Sequence, residues 1–385
     1  MSEQNGEENE NRQDRPGCEC NGCCGSSSGE GEGKDASRGT PANLKEPWMT
    51  GRLQTASLAV PVVATRLSWR DRLGSLRARL GVGRFRYAIP PGLYAVGQPN
   101  AGSRVFVSAN YKLSFDALRQ ELGAIDGWIL VLDTQGINVW CAAGKGTFGT
   151  GELARRIEET GLAGVVSHRT LILPQLAAPG VAAHEVTKLS RFKVVYGPVR
   201  AADIRAFLEA GLQAAPGMRR VRFNLFDRLV LTPLELVLPL KYGIAIAALL
   251  LLADVIFGIK ILSWPAAYPY IGAIVVGTVI VPALLPWIPG RAFALKGGLL
   301  GFAWAALVNV HQGLIFSPAP HWSQAAVHFL LLPAISAFLA MYFTGSSTYT
   351  SLSGVVREMK YAVPAIAVST ALGIVLLVTV LVGAF

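Results

Sequence analysis

The chain has 385 residues, of which 51% are hydrophobic and only 16% are charged, and its formal net charge is +10. This composition is too apolar for a protein that consists of soluble domains alone, and charges become rare after about residue 236. We therefore predict one soluble domain of modest size followed by a membrane domain.

Residues 1–45 are rich in Glu, Gly, Asn and Ser without periodicity, which predicts a disordered tail and, for want of an apolar stretch, no signal peptide. The tail contains the stretch CECNGCC, with Cys18, Cys20, Cys23 and Cys24. Its single C-x-x-C lacks the second pair of a zinc site and does not match an iron–sulfur motif. Two interpretations stay open, a flexible trap for a soft metal and an unstructured tail with reactive thiols.

Residues 46–86 are predicted to be a basic, amphipathic linker. Between Arg66 and Arg86 the stretch RLSWRDRLGSLRARLGVGRFR carries seven arginines interleaved with Leu, Trp and Val. This pattern favours a helix on an anionic lipid leaflet, with a plain solvated face as the alternative. Because a chain that already sits in a membrane has lipid as its nearest anion, we predict membrane lipid and not nucleic acid as the partner.

In residues 87–220, short apolar runs alternate with segments of helical periodicity. The runs predict strands at 104–109, 128–132, 164–167, 171–174 and 192–196. The segments between them predict helices at 114–122 (with Ser114 as N-cap), 150–161, 181–190 and 201–211. Such alternation is typical of a Rossmann-like α/β domain with a mostly parallel sheet, in which ligands bind beyond the carboxyl ends of the strands.

A linker at 221–235 leads to residues 236–385, an all-α membrane domain with five predicted transmembrane helices. We place the spans at 236–260, 266–288, 293–316, 324–344 and 361–384. The basic residues near their ends fall mainly on one side: Arg219, Arg220, Arg222, Arg228, Arg291, Lys296, Arg357 and Lys360, against Lys260 on the other. The positive-inside rule therefore predicts a multi-pass protein of the cytoplasmic (inner) membrane, with the α/β domain in the cytoplasm and the C-terminus outside.

Four ionisable residues lie in or near these spans: Asp254, His311, His321 and His328. An ion or proton path is one interpretation. Interfacial positions and hydrogen bonds between helices are the other, and the more common, explanation.

Cys141 is the single cysteine after the tail, in NVWCAAGK (138–145), and it follows the apolar run WILVL. Three roles are open: a nucleophile with His168 or His184 as base, a small buried residue, or a thiolate ligand to a metal or metal cofactor. Small neighbours permit the close approach of a large flat group. Lys145 and a helix capped by Asn138 would favour the thiolate, which supports the ligand role.

The stretch GINVWCAAGKGTFGT resembles the cap-helix signature of the HgcA family, the corrinoid proteins of bacterial mercury methylation. ANYKLSFDALR, APGVAAHEV and VVYGPVRAAD are also similar to that family, as is the order of an α/β domain and five spans. The resemblance covers residues from about 90 to the C-terminus and leaves the cysteine-rich tail outside.

The resemblance implies a corrinoid-binding domain like that of the corrinoid iron–sulfur protein, with a cobalamin-type cofactor in the base-off state and Cys141 as axial ligand to cobalt. It implies that the lower corrin face is lined by Asn138, Val139, Trp140, Cys141, Ala142, Ala143, Gly144 and Lys145. Asn138 would anchor the helix, Trp140 would support packing and Gly144 would be the point of closest approach. The D-x-H-x-x-G motif of histidine-ligated corrinoid domains is missing around His168 and His184.

The function implied is that of a corrinoid-dependent methyltransferase that converts Hg(II) to methylmercury. A thiolate opposite the cobalt–methyl bond would favour departure of the methyl group as a carbanion equivalent, which Hg(II) can accept. The resemblance further implies a ferredoxin-type iron–sulfur protein, HgcB, as electron donor and a methyl-folate-derived methyl donor. Two alternatives remain: a membrane-anchored corrinoid methyltransferase component with a non-mercury acceptor, and a membrane sensor or transporter with a cytoplasmic ligand-binding domain.

Overall fold

The structure is a computed structural model, and it describes residues 46–55, 58–257, 263–316, 318, 321–347, 349–350 and 352–383. The predicted tail with its four cysteines and the predicted outward-facing Lys260 lie outside the described residues.

The N-terminal part is an α/β domain built on a seven-stranded sheet. Its strands are β1 Met49–Gln54, β2 Ala59–Val63, β3 Gly92–Val96, β4 Arg104–Ala109, β5 Gly127–Leu132, β6 Thr170–Leu173 and β7 Lys193–Tyr196. Its helices are α1 Trp69–Arg79, α2 Lys112–Glu121, α3 Val139–Lys145, α4 Thr150–Glu159, α5 Leu162–Val165, α6 Ala183–Ser190 and α7 Ile204–Glu209. Short 3-10 turns lie at Arg84–Arg86, Gln175–Ala177, Ala201–Asp203 and Pro216–Arg219.

The sheet has the strand order β1-β2-β3-β5-β4-β6-β7. The pairs β2/β3, β4/β5, β4/β6 and β6/β7 are parallel, whereas β1/β2 and β3/β5 are antiparallel. The prediction of an α/β fold with a mostly parallel sheet is therefore confirmed.

Two apolar clusters cover the two faces of this sheet, because successive side chains of a strand point to opposite sides. Val105 and Val107 of β4 belong to the cluster that also contains Leu153 of α4 and Val186 of α6. Phe106, between them, belongs to the opposite cluster, with Phe115 and Leu118 of α2 and Phe207 of α7. All six residues of β5 are buried, as expected for a central strand with helices on both sides.

Several element predictions are confirmed, and two are wrong. Strand 104–109 has the predicted bounds, but the helix predicted at 114–122 begins at Lys112, after Tyr111 in the N-cap position. It begins earlier because the Lys112 ammonium is fixed by Asp71 and Asp116 at 2.9 and 2.6 Å, so Ser114 lies inside the first turn. Residues 164–167, predicted as a strand, are instead the end of α5 and the turn after it. A mainly apolar run of only four residues is compatible with either a strand or a helix, so its pattern does not decide between them.

The segment predicted as a linker, 46–86, contributes two strands and a helix to the α/β domain. β1 and β2 form a hairpin whose second strand pairs with β3, so the sheet begins upstream of residue 87. Helix α1 has a Ser68–Asp71 capping box, in which each side chain accepts from the backbone N–H of the other residue. The basic stretch 66–86 is thus partly helical, as predicted.

The C-terminal part is helical and contains, within the described residues, five helices long and apolar enough to cross a membrane. Its elements are α8 Leu225–Leu229, α9 Thr232–Phe257, α10 Trp264–Val275, a π-helical stretch Val276–Ile280, α11 Val281–Leu284, α12 Phe293–His311, α13 Trp322–Tyr342 and α14 Leu352–Leu381. The predicted all-α region with five spans is confirmed. Helix α14 begins nine residues before the predicted span, so Arg357 and Lys360 lie on this helix rather than in a loop.

The polar residues of the spans form contacts between helices. His328 is buried on α13, and its Nδ1 lies 2.7 Å from Oδ1 of Asn309 on α12. The Asn309 amide also donates to the backbone oxygen of Ala325, at 3.2 Å. His311 and His321 are exposed at helix ends. These positions agree with the interpretation of hydrogen bonds between helices and interfacial residues.

Candidate functional site at the carboxyl edge of the sheet

Cys141 lies where the connections of two neighbouring parallel strands diverge. Strands β4 and β5 are in register up to Ala109 and Leu132. The chain leaves β4 towards α2 on one face of the sheet and leaves β5 towards α4 on the other face. In open α/β sheets, a crevice forms at such a switch point and binds ligands.

The turn between β5 and α3 is held by one buried amide. Oδ1 of Asn110 accepts from the backbone N–H groups of Thr134 and Gly136, at 3.1 and 2.9 Å. Its Nδ2 donates to Asp133 Oδ1 at 3.2 Å. Gly136 has a φ of 70°, and a Cβ there would lie 3.2 Å from the backbone oxygen of Phe85. The turn therefore has a fixed shape before α3 begins.

Helix α3 begins at the predicted place. Asn138 is its N-cap, and the side-chain oxygen accepts from the backbone N–H of Cys141 at 2.9 Å. The helix ends at Gly146, whose φ of 81° is the left-handed conformation that glycine adopts freely. Seven residues between an Asn cap and a Gly cap thus fix the backbone that carries the thiol.

Seven of the eight motif residues form α3 and divide between its two faces, and the eighth, Asn138, is the N-cap. Val139, Ala142 and Ala143 are buried and pack in the apolar cluster beneath the helix. Trp140 (42% exposed), Cys141, Gly144 and Lys145 are exposed. The exposed face thus consists of a thiol, an indole, a cation and a glycine without a side chain.

Close packing behind α3 explains why its inner side needs small residues. A Cβ added at Gly180 would lie 2.9 Å from Ala143 Cα and 2.3 Å from the backbone oxygen of Phe148. By contrast, a Cβ added at Gly144 would meet no atom within 4 Å. Gly180 is therefore required by packing within the protein, whereas Gly144 leaves open space on the exposed side.

Tyr111 belongs to the site, although the motif search did not single it out. Its ring is buried, and its hydroxyl finds no hydrogen-bond partner among the described residues. Burial raises the pKa of Tyr111; the nearby Cys141 acts in the same direction, and Arg84 and Arg79 act against it. The Arg84 guanidinium carbon lies 5.8 Å from the centre of the ring. The raised pKa keeps the hydroxyl protonated, so it can donate a hydrogen bond.

The feature of the sequence that could have identified Tyr111 as a site residue is its position directly after strand β4. Residues that follow neighbouring parallel strands meet at one edge of the sheet. Only the register of β4 against β5 identifies Tyr111 and Asn110 as the residues opposite the NVWCAAGK motif.

His168 does not pair with Cys141 as a catalytic base. Its Nε2 lies 2.9 Å from the backbone oxygen of Ser103, and its Nδ1 accepts from the Thr170 N–H at 3.2 Å. Ser103 and Thr170 are at the amino ends of β4 and β6, which is the sheet edge opposite Cys141. His184 is exposed on α6, with no hydrogen bond to Cys141 in the described part of the chain.

The described residues contain no group of three or more His, Cys, Asp or Glu side chains that could hold a metal ion. Cys141 is therefore not part of a multi-residue metal site within them. A single exposed thiolate can still complete the coordination of a metal whose other ligands come from a cofactor.

Residues 84–208 match the family model described as CdhD, CO dehydrogenase/acetyl-CoA synthase delta subunit. This region begins at the 3-10 turn after α1 and ends in α7, before the first membrane helix.

Relatives of this region are subunits described as acetyl-CoA decarbonylase/synthase complex subunit gamma. The subunit of Archaeoglobus fulgidus is 35% identical over 123 residues, which are 31% of this chain and 26% of the relative. That of Methanopyrus kandleri is 35% identical over 124 residues, with the same two shares. That of Methanocaldococcus jannaschii is 40% identical over 93 residues, 24% of this chain and 19% of the relative. The chain thus spans about a quarter or less of the length of these relatives, and its α/β region is similar to a part of them.

Proposed function

We propose that this protein is a membrane-anchored corrinoid methyl carrier in which the Cys141 thiol would hold the cobalt of the cofactor. The observation that carries the proposal is the presentation of the Cys141 thiol on a doubly capped helix at the switch point of the sheet. A ligand that must meet a metal in a fixed direction needs a rigid support of this kind.

The residues of α3 fit a large flat cofactor. Cys141 is exposed, and the position one turn further on, Gly144, has open space where a side chain would stand. The smaller side chains between them, Ala142 and Ala143, are turned inward. A planar ring can therefore lie along the exposed face with contact to the backbone at Gly144.

The chain supplies binding, orientation and electrostatics, and the corrinoid supplies a transferable methyl group when bound. Asn138 fixes the backbone of Cys141 and thus the point from which the thiol projects. The buried Tyr111 hydroxyl, which has no partner among the described residues, is free to donate a hydrogen bond to a bound group. Arg84 places positive charge over the Tyr111 ring, and Lys145 adds a cation one turn after Cys141 on α3.

The similarity of residues 84–208 to acetyl-CoA decarbonylase/synthase subunits supports the corrinoid carrier as the general function. The resemblance of NVWCAAGK to the HgcA cap helix supports the specific role of Cys141. Both lines of support concern the α/β domain, and the five apolar helices supply the anchor.

For the acceptor we propose Hg(II), with methylmercury as product. The Cys141 thiolate, as a ligand, would favour release of a methyl group as a carbanion equivalent, which a soft electrophilic cation could accept. Such a reaction would require a two-electron reductant and a methyl source from outside this chain. We propose a ferredoxin-type protein such as HgcB as the electron donor and a methyl-folate compound as the methyl source.

A second candidate is a corrinoid methyl carrier whose acceptor is not mercury. The similarity to subunits of a complex named for acetyl-CoA chemistry favours it specifically. It shares the cofactor and the Cys141 ligand with the first candidate and differs only in the last step.

An acceptor assay separates the two candidates. The full chain, purified in detergent and loaded with methylated corrinoid, is mixed under anaerobic conditions with Hg(II) or with thiol acceptors. Our proposal predicts stoichiometric methylmercury with Hg(II) and little transfer to thiols. Transfer to thiols alone would exclude the mercury step and leave the carrier function in place.

A further inference from the structure

Helix α1 carries an apolar stripe that is turned away from the α/β domain. Trp69, Leu73, Leu76 and Leu80 are spaced by four, three and four residues, which places them on one side of the helix and its C-cap. Trp69 is 68% exposed, Leu73 is 45% exposed and Leu76 is 53% exposed. Val82 and Phe85, which follow the helix, are exposed as well. A contiguous exposed patch of large apolar side chains marks an interaction surface.

Arginines flank this stripe on both sides. At 100° per residue, Arg70 and Arg77 fall on one side of the stripe, and Arg72 and Arg79 fall on the other. All four are exposed, and none forms an ion pair with a residue that the structure describes. An apolar stripe between two basic flanks is the pattern of a helix that lies in the plane of an anionic lipid surface.

The opposite side of α1 is bound to the domain. Asp71 and Ala78 are buried, and Asp71 Oδ1 lies 2.9 Å from the Lys112 ammonium. Asp71 Oδ2 lies 3.1 Å from a guanidinium nitrogen of the fully buried Arg119. These contacts fix the orientation of α1, so the stripe cannot turn inward without breaking buried ion pairs.

The end of α1 lies beside the first membrane helix. A Cβ added at Gly81 would be 3.2 Å from Cδ1 of Leu234, in the first turn of α9. Helix α8, just before α9, is joined to the α/β domain by Asp227, which accepts from Arg200 at 2.6 Å. It is joined to the membrane helices by Arg228, which donates to the Ala283 backbone oxygen at 3.0 Å and lies 5.6 Å from the Trp287 ring. An exposed Trp near the end of a span is typical of the membrane–water interface.

We propose that the α1 surface, defined as Trp69, Leu73, Leu76, Leu80, Val82 and Phe85 with their flanking arginines, lies on the anionic lipid leaflet from which α9 enters the membrane. The occupant is lipid because the surface is basic, apolar and in contact with the start of a transmembrane helix. Apolar insertion and attraction to acidic headgroups then act together.

This attachment also concerns the Cys141 site. The segment that follows α1 borders the site directly, since Arg84 lies over Tyr111 and the Phe85 backbone packs at Gly136. Lipid contact at α1 therefore holds Arg84 and Phe85, which border the site, at the membrane surface. The lipid contact itself does not depend on the proposed cofactor.

The test uses the full chain reconstituted in vesicles of phosphatidylglycerol and phosphatidylcholine, with and without bromine on the lipid chains. The difference in emission between the unchanged protein and Trp69→Phe isolates the signal of Trp69. We expect brominated lipid to reduce this signal by about half or more, because the indole lies at the acyl boundary. We expect the reduction to weaken in vesicles of phosphatidylcholine alone and at high salt.

Charge reversal supplies the matched comparison. Arg72→Glu, Arg77→Glu and Arg79→Glu together should abolish most of the quenching. Arg104→Glu, Lys188→Glu and Lys193→Glu, which reverse three exposed charges elsewhere on the domain, should leave it unchanged. A Trp69 signal that ignores brominated lipid would overturn the proposal. Equal quenching in both triple variants would also overturn it. A Trp69 emission that changes only when a nucleic acid or a second copy of the chain is added would overturn it as well.

Discussion

At the scale of single residues, Cys141 and Gly144 lie one helical turn apart on the open face of α3, and each makes a separate contribution. In our proposal the thiol would provide a ligand, and the missing side chain would provide room for the cofactor. Gly144 has helical backbone angles, and a Cβ added there would meet no atom within 4 Å. The fold itself therefore does not require glycine at this position. That separation allows the binding face to be tested without disturbing the structure.

Gly144→Ala should leave the fold intact and weaken corrinoid binding. Alanine in a helix is favoured over glycine by about 1 kcal/mol, so thermal stability should stay the same or rise slightly. The added methyl group occupies the proposed contact with the ring, and we expect binding at least about tenfold weaker, or about 1.4 kcal/mol. Titration of the full chain with cobalamin measures the effect.

Gly151→Ala is the matched control, because Gly151 is also helical, exposed and without neighbours within 4 Å of an added Cβ. Equal binding by both alanine variants would show that the Gly144 side of α3 does not face the cofactor.

Asn138 acts through the backbone of Cys141. Asn138→Ala removes the acceptor for the Cys141 N–H and should destabilise α3 by about 1 kcal/mol. We expect faster hydrogen exchange at the amides of residues 139–143, together with weaker corrinoid binding. Asn138→Asp keeps an acceptor at the cap and should restore slow exchange. If Asn138→Ala changed neither exchange nor binding, the proposed orienting role of the cap would be wrong.

At the scale of elements, the attachment of α1 depends on a buried cluster of two acids and two bases. Asp71 joins α1 to Lys112 and Arg119 of α2, and Asp116 pairs with both of these bases. Burial acts to raise the pKa of Asp71, but hydrogen bonds from Lys112 and Ser68 outweigh it and hold the pKa well below its usual range. The carboxylate is therefore stabilised in the folded state.

The sign of the pH dependence follows from this lowered pKa. The stabilisation by Asp71 is complete above the ordinary carboxyl pKa of about 3.9 and is lost as the pH falls below it. Helix α1 should stay attached between about pH 7 and pH 5, and hydrogen exchange of its amides should rise progressively as the pH falls from about 4 towards the lowered pKa of Asp71. An increase in α1 opening that sets in near neutral pH would contradict this assignment.

Removal of the charge should have the same effect at neutral pH. Asp71→Asn should favour local opening of α1 by about 2–3 kcal/mol, since it leaves Arg119 buried with one partner fewer. Hydrogen exchange of the α1 amides measures the opening. Glu209→Gln removes an exposed i,i+4 partner of Arg205 and should change exchange by little.

The elements differ in how well their sequences predict them. Strand β4 and helix α4 have strong local patterns, and both lie where those patterns place them. Strands β1 and β2 escaped prediction because seven arginines downstream dominate the segment 46–86, and the hairpin is held by pairing with the distant β3. The early start of α2 depends on Asp71, which is 41 residues from Lys112. An ion pair between residues this far apart in the chain cannot be recognised from the local sequence pattern.

At the scale of the whole molecule, the orientation in the membrane remains a prediction from the charges near the spans. Trypsin provides a test, because Arg219, Arg220 and Arg222 are exposed just before the first membrane helix. In inside-out vesicles we expect cleavage at these residues, which separates the α/β domain from the helices that follow. In right-side-out vesicles they should be protected. Cleavage from the outer side would reverse the proposed topology and remove Cys141 from the cytoplasm.

The sequence predicts the candidate site only in part, because some of its residues are brought together by contacts between distant parts of the chain. The motif NVWCAAGK predicts a helix with Asn138 as cap and an available thiol, and the structure has both. Asn110, which fixes the turn, and its neighbour Tyr111 are about 30 residues away from Cys141, and Arg84, which lies over the Tyr111 ring, is further still. They reach the site only because β4 and β5 run in register and because α1 is attached to α2.

The central claim is that Cys141 binds cobalt, and the most direct measurement is the anaerobic absorbance spectrum of the full chain with bound cobalamin. The spectra of the unchanged protein and of Cys141→Ala are compared at equal occupancy of the cofactor. We predict a base-off spectrum that carries a thiolate-dependent band in the unchanged protein and loses this band in Cys141→Ala, while Cys141→Ser gives a third, distinct spectrum. Identical spectra for all three proteins, or no binding of cobalamin by any of them, would contradict the claim.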